Sequence, residues 1–344
     1  MSKIIGIDLG TSACKGILTN REGTVLAEHS VSYPVSTPYT NWSEQNPEDW
    51  YKAAVEILRV LSDGHETEVK GVGIAGQMHG LVMLDERDEV IRPAILWNDG
   101  RSAPQTAYLN SLGTLPALTG NIAFPGFTAP KILWVKNNEP ENFARAKKIC
   151  LPKDYLAYKL TGVFSSEPSN ACTTGIYDLE KRDWDESIAA SIGLKTGIFP
   201  KTYECGSIVA AVSAKGAADT GLAEGTPVVA GGGDCQLGCV GVGVVDPNQA
   251  AIFGGSFWQY EYNTNEAKTD EHCRVRVNCH SVPGMWQYEA LAFKPGMVMR
   301  WYRDAFCTAE KELSKTCGRD PYDLMNEKAK DIPAGCYGMM CTFS

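Results

Sequence analysis

A strand, a glycine-rich turn and a second strand occur twice along this chain of 344 residues, and this repeat constrains the fold more than any other feature. The first copy is the stretch IIGIDLGTSACKGIL, which begins at Ile4, and the second is AIFGGSFWQY, which begins at Ala251. Short apolar runs that are bounded by glycine are typical of buried strands. A duplicated unit of this kind predicts two similar domains that face a cleft.

Helical and strand patterns alternate between the two copies. A helix is predicted to begin near Pro47, because apolar residues recur there with the period of a helix. Strands are predicted at Val69–Ile74 and Arg92–Trp97, and a helix at Gly238–Val244. Alternating strands and helices favour the α/β class. The length suggests two domains, so we predict a first domain over residues 1–245 and the start of a second over residues 246–344.

Charge and cysteine content limit the classes of partner and compartment. The formal net charge of −9 argues against nucleic acid or an anionic membrane as the main partner, although a phosphorylated ligand can still bind through local amides. The 12 cysteines are scattered singly without a Cys-x-x-Cys pair, which favours free thiols in a reducing cytoplasm. A zinc site around Cys273, Cys279 and His280 is the alternative. The sequence has neither a signal peptide nor an apolar run that could cross a bilayer, so we expect a cytoplasmic protein.

The first glycine-rich turn has the composition of a phosphate-binding loop. A tight turn at Gly10 allows backbone amides and the hydroxyls of Thr11 and Ser12 to approach a phosphate, and Lys15 is a further candidate phosphate ligand. Asp8 can hold Mg²⁺, directly or through water, because Mg²⁺ prefers oxygen ligands and keeps several waters. A plain hairpin with an aspartate in its turn is the alternative. The P-loop motif is absent from the chain.

A second candidate is the aspartate in the stretch VVAGGGDCQLGCVGVGVV. Asp234 follows a short apolar run and three glycines, and it precedes a segment of small residues that is predicted to be helical. A carboxylate at the start of a helix is stabilised by the helix dipole. The functional interpretation is a general base whose glycine neighbours leave room for a substrate hydroxyl. The structural interpretation is an aspartate that only caps the helix.

Two further strand-like runs are followed by polar and aromatic side chains. His79 alone would be an ordinary structural histidine. Amide, imidazole and carboxylate groups beside an aromatic face match a polyol, so we predict that both clusters bind a small hydroxylated substrate. The two clusters are Gln77, Met78 and His79, and Trp97, Asn98 and Asp99.

The second glycine-rich turn offers another set of phosphate contacts. Gly254, Gly255 and Ser256 follow the strand of the second repeat copy. Taken alone, a Gly-Gly-Ser turn is a weak indication, and its prediction as a phosphate-binding turn depends on the rest of the chain.

Together these stretches resemble the FGGY family of carbohydrate kinases, within the actin-like ATPase superfamily. GFTAPKILWVKNN is similar to the first signature of that family, and NWSEQNPEDWY and LPKDYLAYKLTG resemble it as well. The resemblance implies an actin-like (ribonuclease H-like) two-domain α/β fold with a central cleft, and transfer of the γ-phosphoryl group of ATP to a sugar hydroxyl with Mg²⁺. It also implies that Asp234 is the general base, that Asp8 is the second catalytic carboxylate, and that Met78 and His79 contact a ketose.

Within the family, the two parts of the chain resemble different substrate classes. GQMHG and ILWNDGRS are similar to the xylulokinases, which implies phosphorylation of D-xylulose to D-xylulose 5-phosphate. GGSFWQ, VRVNCHSVPGM and MRWYRDAFC are closer to the autoinducer-2 kinases, which implies a dihydroxy-pentanedione signal as the alternative substrate. First contacts with the substrate decide specificity, so D-xylulose is the preferred prediction.

The family's later glycine-rich adenosine motif and its second signature are absent from this sequence. We therefore expect an incomplete second domain, and a sugar-binding remnant without an adenine site stays open as an alternative from another functional class. A homodimer is expected as an open alternative to a monomer. A filament-forming actin relative is disfavoured, because such a relative does not need Gln77, His79 and Asp234 together.

Overall fold

A computed structural model describes residues 2–254, 258–270, 272–292 and 295–339 of the chain. The chain divides into two compact units. The larger unit comprises residues 1–249 and 263–287, and the smaller unit comprises residues 250–262 and 288–344. The α/β class predicted from the sequence is confirmed by the mixture of strands and helices in the larger unit.

Strands account for much of the chain, and several of them have only two or three residues. In chain order they are β1 Lys3–Leu9, β2 Ala13–Asn20, β3 Val25–Ser32, β4 Glu44–Gln45, β5 Val69–Gly76, β6 Val82–Leu84, β7 Ala94–Ile95, β8 Lys148–Cys150, β9 Ser165–Ser166, β10 Tyr177–Asp178, β11 Asp183–Trp184, β12 Lys201–Thr202, β13 Ile208–Ala211, β14 Pro227–Val229, β15 Gly232–Gly233, β16 Ala250–Gly254, β17 Trp258–Thr264, β18 Arg276–Cys279 and β19 Trp286–Ala292.

The α-helices range from a single turn to four turns. They are α1 Pro47–Ser62, α2 Ala103–Ser111, α3 Leu115–Thr119, α4 Thr128–Asn138, α5 Pro140–Arg145, α6 Pro152–Thr161, α7 Pro168–Ala171, α8 Glu186–Ser191, α9 Ala214–Thr220, α10 Asp234–Gly241, α11 Pro295–Phe306, α12 Thr308–Cys317 and α13 Pro321–Ala329.

The main sheet of the larger unit has the strand order β13-β14-β5-β1-β2-β3, and β15 also pairs with β5. The opening strands β1, β2 and β3 form an antiparallel meander, whereas β1, β14 and β15 run parallel to β5. Helix α1 packs on this sheet through the fully buried side chains of Trp50, Ile57 and Leu58. Gly16 permits this close approach, because a Cβ atom there would lie 2.3 Å from Cγ2 of Ile57.

Two elements have different bounds from those that the sequence predicted. The predicted strand over Arg92–Trp97 is limited to Ala94–Ile95, since Pro93 cannot donate to a strand ladder and Arg92 pairs with acidic side chains instead. The predicted helix over Gly238–Val244 begins earlier, at Asp234, and ends at Gly241. It ends there because Gly243 adopts a left-handed conformation with φ of 80°.

The smaller unit contains the second strand–turn–strand stretch. Strands β16 and β17 are antiparallel, with Gly254 opposite Trp258 and Ala250 opposite Tyr262. The helices α11, α12 and α13 follow, and α11 carries exposed aromatic side chains, among them Phe306. Within the described ranges, no helix combines the length and the apolar character needed to cross a membrane.

Candidate active site

The carboxyl ends of three parallel strands lie side by side in the larger unit. Leu9 of β1 and Gly233 of β15 are both paired with Gly76 of β5, one on each side. Neighbouring strands are separated by about 4.8 Å, so the backbones of the two outer residues lie about 10 Å apart. Ligands of α/β proteins bind at such ends. Each strand is followed directly by one of the predicted clusters: Gly10–Ser12, Gln77–His79 and Asp234.

The turn after β1 is held by side chains from elsewhere in the unit. The Gly10 amide closes the turn by donating to the Ala13 carbonyl over 3.1 Å. Nε2 of Gln45 donates to the Thr11 carbonyl over 2.7 Å, and Nε1 of Trp97 donates to the Thr11 hydroxyl over 2.9 Å. The turn is therefore fixed before any ligand binds, while Ser12 and Lys15 stay exposed.

Asp8 is the carboxylate at the end of β1, and its surroundings suit a cation. Its Oδ1 atom is buried and accepts no hydrogen bond from the protein. Burial raises the pKa of Asp8, and the positive charge of Lys15, paired opposite it on β2, lowers the pKa again. A buried carboxylate oxygen without a partner fits an Mg²⁺ ion or its bound water. No group of three or more His, Cys, Asp or Glu side chains in the described ranges is placed to hold a metal.

Gln77 and Met78 link the sugar-side cluster to both neighbouring strand ends. Nε2 of the buried Gln77 donates to Oε1 of Gln45 over 3.2 Å and lies 3.4 Å from the Gly10 carbonyl. Met78 packs against the backbone of Gly233, where an added Cβ would lie 2.9 Å from the Met78 sulfur. The cluster after β5 is thus in contact with the residue that precedes Asp234.

His79 is a neutral imidazole in this structure. Its Nδ1 lies 3.1 Å from the Thr173 carbonyl, and because a carbonyl only accepts, Nδ1 carries the proton and Nε2 is left as an acceptor. Its ring stacks on Phe127 at a centroid distance of 5.4 Å. Burial, followed by the charges of Lys131 and Arg276, lowers the pKa of His79 to about 3. His79 can therefore accept a hydrogen bond from a substrate hydroxyl across the physiological pH range.

The backbone of His79 is also unusual. Its φ of 64° lies in the left-handed region, which non-glycine residues adopt rarely and mostly where the surroundings impose it. The surroundings are Thr128 and Lys131 of α4, whose Oγ1 and Nζ atoms each donate to the His79 carbonyl over 3.0 Å. The sequence contained these two residues within the family signature, but nothing in the pattern indicated that they fix His79.

The three residues of the second predicted sugar-binding cluster have different surroundings. Trp97 donates a hydrogen bond to Thr11, and Asn98 is exposed. Asp99 is 2% exposed, and both of its oxygens are engaged: Arg101 donates to each, and the Ser43 amide donates to Oδ2 over 2.6 Å. The role of Asp99 in binding the substrate stays a prediction, and in this structure both of its oxygens already accept hydrogen bonds from Arg101 and Ser43.

Asp234 is exposed and is the first residue of α10. The capping position of this helix is occupied by Gly233, so Asp234 is not the helix cap that was the structural alternative. Its Oδ1 accepts from the Cys235 amide over 2.9 Å. An exposed carboxylate at the start of a helix is stabilised as the anion, which is the form that accepts a proton.

The second phosphate turn is only partly described. Gly254 ends β16 in the smaller unit and packs near the ring of Trp258. Gly255 and Ser256 lie outside the described residues.

A cavity of about 810 Å³ lies against the main sheet of the larger unit. Its wall includes Asp8 and Lys15 and is otherwise formed largely by apolar residues such as Ile7 and Leu237. It includes neither the Gln77–His79 cluster nor Asp234, so it is distinct from the predicted sugar site.

The fold is the actin-like ATPase fold of the FGGY sugar kinases, as comparison with solved structures shows. The xylulose kinase of Rhodospirillum rubrum superposes with a TM-score of 0.89 over 98% of this chain and 69% of that one, at 27% identity. Residues 3–241 match the family model described as the FGGY family of carbohydrate kinases, N-terminal domain. The chain belongs to the FGGY family of carbohydrate kinases.

Two curated relatives represent the two substrate classes. The chain is 42% identical over 299 residues to a xylulose kinase of Escherichia coli (strain K12), a match that covers 86% of this chain and 62% of the relative. It is 34% identical over 354 residues to an autoinducer-2 kinase of Enterobacter sp. (strain 638), a match that covers 100% of this chain and 67% of the relative. The chain thus spans about two thirds of the length of the relatives that it matches.

Proposed function

We propose that this chain carries the sugar site and the catalytic base of an ATP-dependent carbohydrate kinase. The observation that supports this most strongly is the shared position of Gly10–Ser12, Gln77–His79 and Asp234 after three adjacent parallel strands. A polyol next to Gln77–His79 would lie between a general base and a turn that is suited to phosphate.

In the proposed reaction, the Asp234 carboxylate accepts the proton of a sugar hydroxyl. The hydroxyl oxygen forms a bond to the γ-phosphorus of ATP while the bond from that phosphorus to the bridging oxygen breaks, so that a sugar phosphate and ADP are formed. Backbone amides at Gly10, the exposed Ser12 hydroxyl and Lys15 would bind the phosphate tail. Gly254, Gly255 and Ser256 are proposed as further phosphate ligands. An Mg²⁺ ion at Asp8 would neutralise phosphate charge.

The sugar contacts follow from the protonation state and exposure of each side chain. Nε2 of His79 would accept from one hydroxyl, and the Met78 thioether would pack against the carbon chain. Trp97 and Asn98 stay as proposed contacts, with Gln77 acting mainly through the turn that it holds. Asp99 is omitted from the set, because its oxygens are used by Arg101 and Ser43.

For the acceptor, we favour D-xylulose. The stretches GQMHG and ILWNDGRS, which supply the proposed sugar contacts, resemble those of xylulokinases. The relative with 42% identity is named a xylulose kinase. The autoinducer-2 signal is the second candidate, since the match to that kinase extends over the whole chain.

The test is a coupled ADP-release assay on the 344-residue chain with ATP and Mg²⁺. D-xylulose and the dihydroxy-pentanedione are compared at equal concentration, and Asp234→Asn is the control for contaminating kinases. Turnover with D-xylulose that is lost in the control is the expected result, and turnover with the pentanedione alone would contradict the acceptor assignment. If neither is phosphorylated while D-xylulose raises the melting temperature, the chain is a sugar-binding remnant.

Light scattering on the same sample tests the expected homodimer.

A further inference from the structure

The segment that carries Asp234 is rich in glycine. Ala230 is followed by three consecutive glycines, and glycine loses more conformational freedom on folding than any other residue. Gly231 adopts φ of 76° and passes so close to β5 that a Cβ would lie 2.0 Å from the Ile74 carbonyl oxygen. A segment of this kind needs external contacts to hold the following carboxylate in one place.

One such contact is made by a buried serine. Oγ of Ser169 accepts a hydrogen bond from the Gly233 amide over 2.9 Å, although the two residues are 64 positions apart in the chain. The Ser169 hydroxyl donates in turn to Oε2 of Glu167 over 2.5 Å. Glu167 is fully buried and caps α7, where it also accepts from the amide of Asn170. The hydroxyl of Ser169 is thus oriented so that its lone pair faces Gly233.

A buried lysine holds the other end of the same segment. Nζ of Lys153 donates to the Ala230 carbonyl over 3.0 Å and lies 3.4 Å from Oε1 of Glu167. Burial by itself would lower the pKa of Lys153, but the adjacent carboxylates of Asp154 and Glu167 raise it, so the lysine stays charged. Both ends of the glycine segment are therefore tied to the same carboxylate, one through a cation and one through a hydroxyl.

We propose that Lys153, Glu167 and Ser169 are positioning residues that fix Asp234 for proton transfer. This inference rests on the proposed role of Asp234 as general base. A buried ion pair contributes little net stability, because the cost of removing both charges from water offsets their attraction. What the cluster supplies is a fixed location for the Ala230 carbonyl and the Gly233 amide, and hence for the residue that follows them.

The test compares two serines of the same buried region. Ser169→Ala removes the hydroxyl that contacts Gly233, whereas Ser166→Ala removes a hydroxyl that donates to Asp154 over 2.7 Å. Ser166 is as buried as Ser169 but makes no hydrogen bond to the glycine segment, so it is the matched control. Ser169→Cys fills the same space with a weaker acceptor and provides an intermediate step.

Two readouts are measured on each full chain. The first is amide hydrogen exchange in peptides that cover residues 230–236, which requires no catalytic activity. We expect exchange in this segment to become faster by about 10-fold in Ser169→Ala, less in Ser169→Cys, and to be unchanged in Ser166→Ala. The second is steady-state kinetics, in which kcat of Ser169→Ala should fall by about 10- to 100-fold while KM for the sugar stays within a factor of about two.

Several results would overturn the proposal. Equal exchange in the Ser169 and Ser166 variants would show that the serine does not hold the segment. Faster exchange without a change in kcat would show that the segment need not be fixed for catalysis. A wild-type chain without turnover would instead count against the proposed function, and the exchange experiment would still decide whether Ser169 holds the segment.

Discussion

Asp99 and Asp234 have opposite surroundings, although both follow a strand and both were predicted to act on the substrate. Asp99 is buried, and its oxygens accept from Arg101 and from the Ser43 amide. Asp234 is exposed at the start of α10, and its Oδ1 accepts from the amide of the next residue. One carboxylate is thus part of the protein's internal structure, and the other can meet a ligand.

This difference shows why a polar residue after a strand is an ambiguous signal. Arg101 follows Asp99 by two positions, and its guanidinium also lies 3.6 Å from the ring centroid of Trp42 and donates to Glu44. The guanidinium of Arg101 therefore pairs with the Asp99 carboxylate in the folded chain, whether or not a substrate is present. Asp234 is followed by Cys235, Gln236 and Leu237, none of which carries the fixed positive charge that Arg101 brings to Asp99.

The largest effect should come from replacing the exposed carboxylate. Asp234→Asn keeps the shape but removes the proton acceptor, so kcat should fall by about 10²- to 10⁴-fold. The melting temperature should barely change, because substitutions at exposed positions shift stability by about 0.5 kcal/mol or less. Turnover and thermal unfolding are measured on the same preparation, and turnover near the wild-type level would remove Asp234 as the base.

Replacing the buried carboxylate should produce the reverse result. Asp99→Asn removes one of the two carboxylates that pair with the buried Arg101. Because Glu44 still accepts from Arg101, the free energy of unfolding should fall by less than the about 3–5 kcal/mol of a buried pair that is broken outright. Sugar affinity of the folded fraction should be unchanged. Urea denaturation measures the loss, with the exposed Asp63→Asn as a control expected to stay close to wild type. A stable Asp99→Asn chain with weakened sugar binding would restore Asp99 to the substrate site.

The next effect concerns His79, which is partly buried and whose Nε2 atom is the proposed acceptor for a sugar hydroxyl. His79→Asn should weaken sugar binding by about 10-fold, which corresponds to the loss of one neutral hydrogen bond. Asparagine is preferable to alanine here, because it tolerates the left-handed backbone at φ of 64°. Calorimetry with D-xylulose in the absence of ATP gives the affinity, and an unchanged dissociation constant would place His79 outside the sugar site.

The most gradual effect is a pH dependence of stability, which is small over any one pH unit. The pKa of His79 is about 3 in the folded chain, whereas an exposed histidine in the unfolded chain has its ordinary pKa of 6.5. The unfolded state therefore binds more protons between these values, and the free energy of unfolding should decrease as pH falls through that range, by at most about 1.4 kcal/mol per pH unit. His280, whose pKa burial lowers to about 4, adds a contribution of the same sign. Denaturation of His79→Asn should show a shallower slope, and an identical slope would contradict the neutral imidazole.

Much of the local structure was predictable because it is encoded in short patterns. The strand–turn–strand opening and the helix that begins at Pro47 lie where the sequence placed them. Strand ends were predicted less well, since Pro93 and Arg92 shortened a strand whose composition was apolar. The roles of Gln77, Met78 and His79 stay predictions, but their closeness to Gly233 and Gly10 is now a structural fact.

The sequence by itself determined the α/β class, the family and the identity of the strand-end residues, because periodicity and motif spacing are local properties. Only the tertiary structure decided which of those residues are already engaged. Arg101 engages Asp99, Thr173 sets the tautomer of His79, and Ser169 reaches Gly233 from 64 positions away. Such contacts arise from packing between distant segments. A buried charged or polar side chain needs a hydrogen-bond partner, and only the tertiary structure decides whether the protein supplies that partner or leaves it to a ligand.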